Sequence, residues 1–108
     1  MEQQLDIRAY SDAEYDTIAQ VIYHYRVKHD SAVGNPVIRM RLDAYDSTLS
    51  HCQHRIPFDA SAECSLAYAA LLEFGKFLQK DQRDMLPHLR TKINCLENEL
   101  HREEQSNA

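Results

Sequence analysis

Two glycines, three prolines and no tryptophan leave this 108-residue chain little material for loops. That scarcity argues against an all-β fold, which needs Gly/Pro-rich turns between many short strands. Gly34 and Gly75 are the two glycines and stand far apart, so no glycine-rich phosphate loop or dinucleotide fingerprint can form. The three cysteines, Cys52, Cys64 and Cys95, are odd in number and widely spaced, which excludes a disulfide framework. They read as reduced, half-buried residues of a cytoplasmic protein. The longest apolar run, residues 66–72, falls far short of the roughly 20 residues a bilayer requires. The start, Met-Glu-Gln-Gln, lacks the basic and apolar regions of a signal peptide. Basic residues are also in deficit. The net charge of -5 argues against a nucleic-acid partner, because such binding displaces counterions with a basic face. Arg39, Arg41 and Arg55 fall in one region and are expected to balance Asp43, Asp46 and Asp59.

What is present is helical patterning. Hydrophobic residues make up 44% and charged residues 27%, ordinary for one globular domain over 1–108. The periodicity predicts an all-α, up-down four-helix bundle with helices over 12–31, 36–53, 60–80 and 85–104. Residues 1–10 are expected to form an extended N-terminal arm. The tail from Arg102 is expected to fray, 105–108 forming the frayed end of the domain.

Ser11 and Glu14 have capping-box spacing, and Tyr10 and Tyr15 occupy the positions of a hydrophobic staple. Tyr15, Ile18, Val21, Ile22 and Tyr25 then form the apolar seam of the first helix. Asn35 followed by Pro36 predicts the cap and first position of the second helix. Ile38, Leu42, Tyr45, Leu49 and Cys52 line one face of it, and Asp59 is the expected cap of the third. The third helix is apolar all round, which places it in the middle of the bundle. Its small residues, Gly75 among them, permit close approach of neighbours. Leu71, Phe74, Leu78, Leu89, Ile93 and Leu96 are the expected densest core.

The last helix carries an uninterrupted seam: Leu86, Leu89, Ile93, Leu96 and Leu100 recur at steps of three and four. Such a helix needs a partner along its length, either in the same chain or in a second copy. Charge favours the second copy. The first half is basic and the second half acidic, so an antiparallel pair would set Arg90 against Glu97 and Lys92 against Glu99. The expectation is a homodimer with this helix at its two-fold axis.

Few residues point to chemistry. His51 and His54 share a helical face, but Cys52 points elsewhere and no second half-site follows, so no metal or other cofactor is expected. The spacing of Arg83 and His88, Arg-x4-His at the start of the last helix, resembles the motif of the HEPN ribonucleases. The likeness spans residues 83–88 and has Pro87 inside it. It implies an all-helical, often dimeric nuclease in which Arg83 holds phosphate and His88 serves in acid–base catalysis. Tyr23, off the seam of the first helix, suits an interface because its ring buries area while its hydroxyl keeps a partner. The reading that best fits the excess of apolar helix faces is a non-enzymatic protein–protein interaction module. It would be a homodimeric regulator or anti-activator-type protein that sequesters or modulates another protein, with the HEPN-like nuclease as the alternative.

Overall fold

The computed structural model describes residues 6–32 and 34–106. Among these residues the only regular structure is helical. It comprises α1 (Asp12–His29), α2 (Pro36–Asp43), α3 (Tyr45–His54), α4 (Ser61–Phe74), a 3-10 turn (Gly75–Phe77), α5 (Lys80–Asp84) and α6 (Leu86–Ser106).

The start of α1 follows its sequence signals. Ser11 Oγ accepts from Glu14 N at 3.1 Å, and Glu14 Oε1 accepts from Ser11 N at 2.8 Å. The Tyr10 and Tyr15 rings meet 5.5 Å apart as a staple. The predicted seam, Tyr15 to Tyr25, is buried. Helix α2 begins as expected, with Asn35 Oδ1 accepting from the amides of Val37 and Ile38.

The predicted helix over 36–53 is broken at Ala44 into α2 and α3. The hydroxyls of Ser47 and Thr48 both donate to the Ala44 carbonyl, at 3.1 and 2.6 Å. Hydroxyl groups that compete for a helical carbonyl bend the backbone there. Of the face expected to be buried, Tyr45 and Cys52 lie fully inside, whereas Ile38, Leu42 and Leu49 are half-buried. No residue of α2 is fully buried. Arg41 ties it down, donating to Ser65 Oγ at 3.0 Å and to the Tyr25 hydroxyl at 3.1 Å. Arg55 ends α3 in the left-handed region, with φ 57°. Its guanidinium binds the Cys52 carbonyl and the carboxylates of Asp12 and Asp16. Arg41 and Arg55 therefore pair with α1 and α4 rather than with Asp43, Asp46 and Asp59.

Helix α4 is capped by Ala60 rather than Asp59. Glu63 supplies the cap from inside the helix, its Oε1 accepting from Asp59 N and Ala60 N at 3.0 and 3.1 Å. Helices α1 and α6 pack along α4, and α2 and α3 cover it further. Ala67 and Ala70 are fully buried there. The predicted span of 60–80 is cut short at Phe74. At Gly75 a Cβ would lie 2.8 Å from Leu86 Cδ1, so the missing side chain makes the seat for Leu86. The chain then tightens to a 3-10 turn and leaves through extended Leu78.

Helix α6 starts after Met85. Asp84 ends α5 and pairs with Lys80 at 3.2 Å. The helix continues through residues 102–106, where fraying was expected, and 107–108 lie outside the described residues. Residues 1–5 of the expected arm also lie outside them. Ile7 and Tyr10 pack against the core, and Arg8 pairs with Glu99 and Glu103.

The seam assigned to a two-fold contact is covered inside the chain. Leu86, Leu89, Ile93, Leu96 and Leu100 are all buried in the single protomer. Lys92 is buried as well: its Nζ donates to Glu14 Oε1 at 3.1 Å and to the Ala9 carbonyl, and lies 4.3 Å from the Tyr10 ring centre. It cannot meet a partner's glutamate, and Glu99 is taken by Arg8. Arg90 and Glu97 are half-buried. Phe74, expected in the dense core, is half-buried at the edge of the fold.

Removing one member of a buried ion pair leaves the other charge desolvated. Lys92→Met is therefore expected to cost on the order of 3 kcal/mol in chemical denaturation. Ile93→Glu is expected to unfold the chain rather than yield a folded monomer. A folded Ile93→Glu protein by circular dichroism would contradict this packing.

Candidate functional site: an aromatic cleft

With its seam turned to α4, helix α1 presents Tyr23, His24, Val27 and Lys28 outward. Tyr23 and Val27 are one turn apart and 55% and 60% exposed. His24 contacts Tyr23 on its own helix, with ring centres 5.7 Å apart, and Phe74 at the end of α4, at 5.8 Å. The 3-10 turn that follows swings Phe77 outward. Its ring lies 6.4 Å from that of Phe74 and is 72% exposed. Gln20, Val21, His24, Phe74, Phe77 and Leu78 enclose a cleft of about 220 Å³.

The rim carries positive charge. Lys28 Nζ lies 5.8 Å from the Phe74 ring centre and Lys76 Nζ 5.2 Å from that of Phe77. Lys28 and His29 also bind Glu73, His29 Nε2 at 2.8 Å. Burial pushes the Glu73 carboxyl up, but the hydrogen bonds from Lys28 and His29 outweigh it and hold it below its ordinary value. The one acidic group of the rim is thus an engaged carboxylate.

The residues proposed from sequence scatter. Tyr23 belongs to this cleft margin. Leu86, Leu89, Ile93, Leu96 and Leu100 are core. Arg83 closes α5 and His88 opens α6, both exposed, and neither side chain has a hydrogen-bond or ion-pair partner among the described residues. His54 Nδ1 turns back to the Ser50 carbonyl at 2.9 Å, away from His51. Sequence reasoning missed Phe77 and placed Phe74 inside; an aromatic residue beside Lys76, just past Gly75, was the available signal.

The cysteines divide. Cys52 and Cys64 are buried, while Cys95, expected half-buried, is exposed. Burial pushes the Cys52 thiol up to about 12, and the Cys64 thiol up as well. Burial and an upward-shifted pKa both disfavour the reactive thiolate at these two positions. A chromogenic disulfide reagent is expected to titrate one thiol per native chain and three after denaturation; a second fast-reacting thiol in the native protein would contradict the burial. Comparison of the chain with protein-family models, with curated proteins and with solved structures finds no match.

Proposed function

We propose that the protein is a small helical protein–protein interaction module that docks a segment of a partner in the cleft between α1 and the 3-10 turn. The carrying observation is Phe77, a large aromatic held largely in solvent beside a preformed apolar recess. Aromatic residues, phenylalanine among them, are enriched at the cores of protein interfaces. The recess is smaller than the roughly 300–1,000 Å³ of small-molecule pockets, which suits it to a single bulky side chain. Lys76, with no ion-pair partner among the described residues, and Lys28, which shares its charge with Glu73, flank it, so the complementary segment carries an apolar anchor between acidic residues. The protein modulates its partner by occupancy, and no bond need be made or broken. Self-association through α6 is not part of this reading, since its apolar seam is already covered.

Selection of displayed random peptides on the wild-type protein is expected to enrich sequences with Leu, Ile or Phe between Asp or Glu. Phe77→Ala is expected to weaken such peptides by about 30-fold, the equivalent of a 2 kcal/mol hot spot. The double variant Lys28→Glu, Lys76→Glu is expected to lose them, with helix content unchanged. Enrichment of basic peptides, or equal binding to all three proteins, would overturn the proposal.

A further inference from the structure

We infer that His51, Asp59 and Glu63 form a binding site for a divalent transition-metal ion of the zinc class. One ligand atom from each lies within 4.8 Å of the others. His51 comes from the last turn of α3, Asp59 from the connector and Glu63 from the first turn of α4. The site bridges two helix ends.

The decisive atom is His51 Nδ1. It is buried with no hydrogen-bond partner among the described residues. Its neighbour Glu63 Oε1 stands 3.5 Å away, beyond the roughly 2.7–3.2 Å of an N–H···O bond. A buried polar atom left alone is costly and calls for an explanation. Oε1 already accepts from the amides of Asp59 and Ala60, and Glu63 Oε2, which accepts no hydrogen bond among the described residues, is the oxygen left to share an ion with His51 Nδ1.

The surroundings hold the ligands in place. Glu63 is a side chain 2% exposed, oriented by the amides of Asp59 and Ala60. Such outer hydrogen bonds aim a ligating carboxylate. The His51 ring, 16% exposed, lies nearly parallel to Phe58 at 6.2 Å. Arg55, the cation in the same connector, is engaged with Asp12 and Asp16. One imidazole with two carboxylates selects zinc, cobalt or nickel over magnesium or calcium, which prefer sets of oxygen ligands. Asp59 is exposed, so water completes the coordination. The ion acts as a clip between α3 and α4.

The test is calorimetric titration of zinc chloride into the full chain carrying Cys95→Ser, which removes the exposed thiol. The expected result is saturable uptake of one ion per chain, with a raised melting temperature. Magnesium at the same concentration is expected to do neither. Asp59→Asn alters an exposed residue and keeps the fold; it is expected to weaken zinc at least ten-fold. His51→Gln is expected to abolish tight uptake, and His54→Gln to leave it unchanged. Cobalt in place of zinc is expected to give four-coordinate visible absorption without a thiolate band. Absence of saturable zinc uptake would overturn the inference. So would affinity unchanged by Asp59→Asn, or affinity lost on His54→Gln.

Discussion

The enclosure of α4 governs how every other element lies. Ala67 and Ala70 allow backbones to approach it closely, and Leu66 and Leu71 fill the space between. A helix this apolar draws partners around it, although Leu72 remains 53% exposed. Helices α1 and α6 each turn their seam to it, and the short α2 and α3 cover part of what remains. Its two ends are fixed by different means. At the start, Glu104 of α6 accepts from the Ser61 hydroxyl and amide at 2.6 and 2.8 Å. The side-chain bond from Ser61, followed by the backbone bond, holds the Glu104 carboxyl below its ordinary value. At the other end, the bare Cα of Gly75 seats Leu86.

That arrangement decides which sequence signals were legible. Local chemistry reads well: Ser11 with Glu14 and Asn35 with Pro36 act where their spacing says, because a cap depends on a few adjacent groups. Periodicity also reads well, since the buried apolar residues of α1 and α6 are the ones the seams name. What periodicity cannot supply is the identity of the covering surface. The seam of α6 fits a second copy as well as it fits α4, and its charge pattern favours the copy. Lys92 resolves this only in three dimensions, because its partners Glu14 and Ala9 lie 78 and 83 residues earlier. The break at Ala44 was hidden for another reason. Ser47 and Thr48 are tolerable inside a helix, and only the position of their hydroxyls shows that they take its carbonyl.

The two candidate sites were less legible than the fold. Phe74 and Phe77 sit in a tract that reads as uninterrupted core, and the end of α4 at Phe74 is what turns Phe77 outward. His51 was weighed with His54, its neighbour by helical spacing. Its actual neighbour is Glu63, on the far side of a connector whose path no local pattern predicts. Glu63 is also a capping residue, so its sequence position already had a sufficient explanation.

Both sites border α4, at opposite ends. The cation cluster uses Asp59 and Glu63 at its start, and the cleft uses Phe74 and the turn beyond it. A helix of 14 residues is about 21 Å long at 1.5 Å per residue. Sites so far apart, with no shared residue, behave additively unless a two-state element joins them. Helix α4 is a poor candidate for such an element, because α1 and α6 pack along it and Leu66, Ala67, Ala70 and Leu71 are fully buried between them. An ion at His51 would therefore stiffen the α3–α4 junction without changing the cleft. Conversely, a peptide anchored beside Phe77 would leave the zinc affinity as it was. The fold thus makes the two proposals separable: either can fail while the other stands.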